Sequence, residues 1–383
     1  MNSMVDQVYS LPKMVRESFQ SFDDGIRNTL DHRLCLSLKR IFLTGCGDSH
    51  HASLNAELAF ESLAGLPTEP MTALQFSRYG VGFLPQTGPG TNAVIGISVS
   101  GEVSRTLEAL QLAAKAGATT IALTGTPGSR IALAGEVTLF STTSPFPDPP
   151  GIHTPGVRSF TANQLTLYLI AIRLGEVRGT LTSTQAGKIR SELLSLADTA
   201  EQLIPVWDQT ARQLAEAWAD AQEFVFVGGG PNFGTALFSA AKILEASGDP
   251  ALGQETEEWA HLQYFARAVP TPTFIISAAD RDLSRFVEVT IASKAVGRRL
   301  VSITSAANKA VSDIVDATFS WPADVRELFS PLIAAIPAEL FAAHRAEVIR
   351  EPFFRDFSGG RSTEGGGGIS RIRTSDILSE LKL

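Results

Sequence analysis

Six residues in the first half of the chain, Ile97-Ser98-Val99-Ser100-Gly101-Glu102, end an apolar run and set two hydroxyls one residue apart before a glycine. Where a strand turns into a helix, the first helical N–H groups lack an intrahelical partner and the dipole is positive, so the turn can hold an anion. Ser98 and Ser100 add hydroxyl donors, and Gly101 lets the backbone approach a ligand closely. The same residues also fit a plain N-cap at Ser100, with Glu102 placed to suit the dipole. A second pair lies far downstream. Lys242 and Glu245 are three apart in AAKILEASG and share one face if that stretch is helical. A carboxylate beside a cation suits a proton shift, which needs a base near the carbon and a positive group near the oxygens. An exposed ion pair of little energetic weight has the same spacing.

The elements that must carry these residues are legible through an internal repeat. RIFLTGCGDSHHASLNAELAFESLAG has a near copy in EFVFVGGGPNFGTALFSAAKILEASG, with Gly45-Cys46-Gly47 aligned on Gly228-Gly229-Gly230, a shift of 183 residues. The correspondence runs on through 93–98 with 273–277, 119–125 with 299–305 and 136–140 with 316–320, giving four strand candidates per copy. Apolar strands alternating with helical stretches such as SRTLEALQLAAKAG indicate parallel sheets covered on both faces. The expected fold class is therefore α/β, with two tandem doubly wound parallel-sheet domains. The expected boundaries are a helical arm at 1–35, a first domain at 36–178, a connecting helix at 179–219, a second domain at 220–345 and a tail at 346–383. The tail mixes a Gly-rich stretch with Phe353, Phe354 and Phe357, whose clustering favours docking over a plain disordered terminus. In open sheets ligands bind beyond the carboxyl ends of the strands, where GCGDSH and SVSGE both fall, so the two turns are expected to wall one pocket.

Bulk properties narrow the partners. The formal net charge of −8 and a pI near 5.4 argue against a nucleic-acid partner. No apolar run reaches the roughly 18 residues of a membrane helix, and the opening stretch does not read as a signal peptide. Cys35 and Cys46 are read as free thiols of a reducing cytoplasm, with no metal site, since neither has a partner at ligand spacing.

With these residues in view, the chain resembles the sugar isomerase (SIS) domain family, in the double, flavodoxin-like form found in the isomerase half of glucosamine-6-phosphate synthase. FLTGCGDSHHA is similar to that family's Cys-Gly-Thr-Ser turn, FESLAG to its wording, and SVSGEV to its Ser-x-Ser-Gly-Glu-Thr phosphate loop. The resemblance implies that Ser49, Ser98, the Val99 backbone and Ser100 hold a sugar phosphate, with Cys46 and Gly47 in the substrate turn. Val103 replaces the customary Thr, and Ser104 is the available substitute hydroxyl. It also implies that Glu245 is the isomerase base beside Lys242. EEWAH resembles the family's Glu-x-x-His, which makes His261 the group that assists ring opening and Glu258 a pocket residue; Leu262 and Gln263 follow where Gly-Pro is usual. The second copy has SAADRD at the turn equivalent to SVSGE, so one phosphate site per chain is expected. A homodimer with shared sites is implied, since the family's histidine reaches the neighbouring subunit. No cofactor is expected.

The implied function is a phosphosugar isomerase moving a proton between C1 and C2 of a hexose or amino-hexose 6-phosphate through an enediol(ate). Position 2 is Asn, not the cysteine of a glutamine-hydrolysing half, and the only tail lysine is Lys382, so glutamine-dependent amination is not expected. Amino-sugar-phosphate deamination or fructosamine-6-phosphate deglycation would use the same proton shift, and Arg355, Arg361 and Arg371 are tail cations that could help close such a site. A non-catalytic sugar-phosphate sensor is the binding alternative, although no basic DNA-reading module accompanies it. Gly47-Asp48-Ser49 also resembles a Gly-Asp-Ser-Leu esterase, but the late Asp-x-x-His is missing: Phe341 stands three before His344. GGGPNFG could be a dinucleotide loop, yet the acid expected about 20 residues on falls inside the Lys242–Glu245 stretch.

Overall fold

The computed structural model describes residues 2–85, 88–267, 270–362 and 369–375. Apolar runs become strands and the segments between them become helices, as in any sheet buried on both faces. The first sheet contains β1 (Arg40–Gly45), β2 (Thr68–Thr72), β3 (Asn92–Ile97), β4 (Thr119–Thr124) and β5 (Val137–Phe140) in the order β2-β1-β3-β4-β5. The second contains β6 (Phe224–Gly228), β7 (Ala251–Glu255), β8 (Pro272–Ser277), β9 (Arg299–Ser305) and β10 (Ala317–Trp321), in the equivalent order β7-β6-β8-β9-β10. Every pairing is parallel. The chain is thus α/β, with two doubly wound parallel sheets, a helix Ser3–Thr29 ahead of the first, and the helices Arg158–Arg178 and Ser183–Ala217 ahead of the second.

Each sheet has five strands where the apolar pattern gives four. The additional ones, β2 and β7, sit at sheet edges, and their sequences TEPMT and ALGQE are only partly buried. An edge strand with one covered side needs no continuous apolar run, which is why neither stands out in the sequence.

The residues divide by contacts into two compact units. One comprises Val15–Ser144, Ser159–Glu192 and Phe357–Leu383; the other comprises Met1–Met14, Pro145–Arg158 and Leu193–Asp356. In the first, Phe42, Phe76, Val94, Ala109 and Leu112 belong to one buried cluster. In the second, Val225, Val227, Trp259, Ile275 and Phe286 do the same, and Phe341 packs on Phe224 and Phe274.

The 183-residue repeat survives in three dimensions. β1 pairs with β2 at Ile41 and Thr68, and β6 with β7 at Phe224 and Ala251, the same register under that shift. The glycines that start the following helices, Gly47 (φ 55°, ψ −128°) and Gly230 (φ 52°, ψ −130°), adopt the same conformation. Among the described residues, no helix is long and apolar enough to cross a membrane.

Candidate functional site

β1 and β3 are adjacent, with Gly45 opposite Ile97, so the turns that follow them leave the sheet side by side. This is also where the strand order reverses, the place where open α/β sheets bind ligands. Two helices start there, Asp48–Ala64 and Ser104–Lys115, and neither N-cap, Gly47 or Val103, supplies a side-chain cap. Ser100 is not the cap of the second helix. Its Oγ accepts from Glu102 N (3.3 Å) within the turn.

The serine turn is held in shape by its own hydrogen bonds. Ser98 is buried, and its Oγ accepts from Gly101 N (3.2 Å). The Val99 carbonyl accepts from Gly125 N (3.0 Å), Thr124 Oγ1 (3.2 Å) and Thr126 Oγ1 (3.0 Å), which ties the turn to the end of β4. Gly101 has φ +69°, and a Cβ there would lie 1.9 Å from Ser129 Oγ, so no other residue fits. Ser104 Oγ and Ser129 Oγ are buried and make no hydrogen bond among the described residues. Orphaned buried hydroxyls are uncommon and call for an explanation, and an anion at two uncapped helix starts supplies one.

Of the other residues singled out in this half, Ser49 is buried in the first turn of its helix, with its N–H donating to Cys46 O (3.3 Å). Cys46 is exposed as a residue and carries a free thiol. Burial of that thiol raises its pKa against the opposing pull of Thr106, Ala73, Arg105 and Arg373. Arg78 and Arg105 both pair with the buried Glu108, and a short helix of the tail, Ile369–Thr374, packs on Ser104–Lys115. Thr106, Ser129 and Arg373 are additions that motif spacing does not reveal. His50, in the first turn after Gly47, is held near pKa 4 by burial and by His51, so it stays neutral at physiological pH.

In the second unit, the helix Pro231–Ala246 carries Lys242 and Glu245 on one face, as their spacing requires. Lys242 is fully buried. Its Nζ donates to Glu245 Oε2 (2.5 Å) and to Gly156 O (3.4 Å), and lies 4.8 Å from the centre of the Phe238 ring. Glu245 remains about a quarter exposed, with 24% of its side chain accessible. This is a semi-buried ion pair, unlike the surface pair the spacing also allowed. A buried ammonium is tolerated only when compensated in this way.

His261 and Glu258 lie on the helix Thr256–His261, whose N-cap is the Glu255 side chain, accepting from Glu257 N (2.6 Å) and Glu258 N (3.1 Å). Both are exposed. His261 Nε2 pairs with Glu257 Oε1 (3.2 Å), and Glu257 is in turn held by Arg285. Around His261 the side chains of Leu262, Tyr264 and Phe265 are also exposed.

Of the tail cations, Arg355 donates to Ala246 O (2.9 Å), at the end of the Lys242–Glu245 helix, and pairs with Glu351. Arg361 is exposed. The side chain of Arg371 and all of Lys382 lie outside the described residues. Among the described residues no group of His, Cys, Asp and Glu side chains could hold a metal ion.

A family model described as the SIS domain matches residues 36–173. Over 348 residues the chain is 29% identical to a glutamine--fructose-6-phosphate aminotransferase [isomerizing] of Gloeobacter violaceus, covering 90% of this chain and 55% of that protein. The chain spans about half the length of the curated relatives it matches. Among solved structures, the C-terminal domain of glucosamine-fructose-6-phosphate aminotransferase from Francisella tularensis superposes with a TM-score of 0.77 at 20% identity, over 91% of this chain and 96% of that one. Tagatose-6-phosphate ketose/aldose isomerase from Escherichia coli superposes with a TM-score of 0.70 at 13% identity, over 92% and 95%. Both share the fold. The SIS family model thus matches the part of the chain that forms the first sheet, and the second sheet repeats that sheet's topology.

Proposed function

We propose that the chain is an aldose–ketose isomerase of hexose or amino-hexose 6-phosphates. The observation that carries the reading is the Lys242–Glu245 pair: a fully buried ammonium bonded at 2.5 Å to a carboxylate that still reaches the surface. In this reading Glu245 takes the proton from one carbon of the sugar and returns it to its neighbour through an enediol(ate). Lys242 fixes the carboxylate by the bond to Oε2 and keeps a positive charge beside the oxygens as they gain negative charge. The uncapped helix starts and the hydroxyls of Ser49, Ser98, Ser100 and Ser104, with the Val99 backbone, hold the phosphate dianion. Cys46, Gly47 and Glu258 are assigned to the sugar, and His261, oriented by Glu257, to ring opening. The exposed Leu262, Tyr264 and Phe265 around His261 support a homodimer in which this segment meets a second copy of the chain. A monomeric sedimentation profile at full activity would refute the dimer.

The test is proton NMR of the purified protein in heavy water with hexose 6-phosphates, amino-hexose 6-phosphates and fructosamine 6-phosphates. Exchange at C1 or C2 without ammonium supports the isomerase. Release of the amine makes the chain a deaminase or deglycase that uses the same base. Binding without exchange removes the catalytic reading and leaves a sugar-phosphate sensor.

A further inference from the structure

The helix that carries Lys242 and Glu245 ends at Ala246, one residue past the carboxylate, and the turn after it is gripped by two arginines. Arg345, from the helix Ile336–Ile349, pairs with Asp249 Oδ2 (2.8 Å) and donates to the carbonyls of Trp218 (3.1 Å), Ala219 (2.9 Å) and Ala221 (2.7 Å). Arg355, from the foot of the tail, donates through Nη2 to Ala246 O (2.9 Å) and Pro352 O (2.8 Å), and its Nε lies 2.9 Å from Glu351 Oε1. Gly248 makes room for it. Its φ is +72°, and a Cβ would come within 1.5 Å of Arg355 Nη1.

The first copy shows that this arrangement is an allocation of tasks. There Arg178 alone donates to Cys35 O (3.1 Å), to Leu38 O (3.0 Å) and to Ala64 O (3.3 Å), the last residue of the helix Asp48–Ala64. Cys35 and Leu38 correspond to Trp218 and Ala221 under the 183-residue shift. Arg345 therefore takes the inner half of the work of Arg178, and the helix-end carbonyl passes to a residue of the tail. Delivering Arg355 there requires an unusual backbone: Phe354, Arg355, Asp356 and Phe357 have φ between 47° and 55°, a left-handed turn without a glycine. Such a turn persists only where surrounding contacts over-determine it. A guanidinium on the last carbonyls of a helix also suits the negative end of its dipole.

We propose that Arg355 is a positioning residue: by tying the tail to the carbonyl end of the Pro231–Ala246 helix, it holds Glu245 in register, so turnover depends on the tail being docked. This rests on the reading of Glu245 as the base. A helix end held only by Arg345 frays in its last turn, and the last turn is where Glu245 sits.

The experiment compares the full chain with Arg355→Ala and Arg355→Lys by two readouts. Amide hydrogen exchange is followed at Ser247 and Gly248, whose N–H groups donate to Ile243 O at 2.9 and 3.1 Å. Turnover is followed on whichever hexose 6-phosphate the NMR panel shows to exchange. The expected result is exchange at least tenfold faster in Arg355→Ala, kcat lower by a similar factor at unchanged KM, and partial recovery of both with Lys. Unchanged exchange overturns the strap. Faster exchange with unchanged kcat overturns the positioning role while leaving the isomerase intact. If the wild-type chain exchanges none of the sugars, the isomerase reading and the catalytic role fail together, and the exchange data alone still decide whether Arg355 straps the helix.

Discussion

The two copies share a topology and differ at their carboxyl edges in opposite ways. In the first, the turn after β3 carries Ser98, Ser100 and Gly101, with Ser104 and Ser129 buried and, among the described residues, unbonded beside it. In the second, the turn after β8 closes on itself: Ser277 Oγ donates to Asp282 Oδ1 (2.7 Å) and accepts from Ala279 N (2.8 Å). Carboxylates crowd this second turn. Burial raises the pKa of Asp282, with Asp280 and Glu255 adding to it, and raises that of Glu327. A site of neutral donors accepts a phosphate dianion, whereas a site of buried carboxylates repels one. For the proposed proton-transfer pair the asymmetry is reversed. Lys242 and Glu245 correspond to Ala59 and Ser62, so the first copy lacks both cation and base. In the proposed reaction, duplication followed by such exchange gives the phosphate to one copy and the proton transfer to the other.

The largest effect that would break this division is at the base. Glu245→Gln keeps size and polarity but removes the proton acceptor, and turnover should fall about 10²–10⁴-fold with sugar-phosphate binding retained. Ser62→Ala, at the equivalent exposed position of the first copy, should change kcat by no more than about twofold. A Glu245→Gln variant that still exchanges the C2 proton at the wild-type rate would remove Glu245 from the chemistry.

Next in size is the turn proposed to hold the phosphate. Ser98→Ala or Ser104→Ala should each weaken binding of a hexose 6-phosphate by about 1–3 kcal/mol, measured calorimetrically, because each removes a hydroxyl offered to a charged group. Ser277→Ala in the second copy should leave the affinity untouched. Equal losses from both turns would mean that the chain has two anion sites rather than one.

These contrasts also mark what the sequence could and could not carry. The strands β1, β3, β4 and their counterparts were legible because a doubly covered strand must be apolar along its length, and the 183-residue shift was legible because Gly45 and Gly228 open identical turns. Ser98, Ser100, Lys242 and Glu245 were legible because their partners lie within four residues. Ser129 and Thr106 were not, since only the sheet order and the helix start bring them to the same corner. The arginine staples were wholly hidden. Arg178, Arg345 and Arg355 bond to backbone carbonyls more than a hundred residues away in most cases, and a carbonyl leaves no mark on the residue type.

The smallest effect separates the copies by the charge around Glu57, on the helix Asp48–Ala64. Glu57, Glu61 and Glu69 of the first copy correspond to Ala240, Leu244 and Leu252 of the second. Burial, then Glu61 and Glu69, pushes the Glu57 carboxyl up to about 7 from an ordinary value of 4.5. The folded state thus favours the neutral acid. The stability it contributes is present below pH 4.5 and is lost as pH rises through about 7. Glu57→Gln keeps the neutral form at every pH. It should therefore match the wild type in thermal denaturation at pH 4 and exceed it by about 2–4 °C at pH 8, where the wild type must ionise a half-buried group. Ala240→Glu, which writes the acid into the second copy, should steepen the dependence instead, with stability falling further between the same limits. A wild type and a Glu57→Gln variant that melt together at both pH values would show that Glu57 ionises as freely as a surface carboxylate, and that the two helices differ in sequence but not in electrostatics.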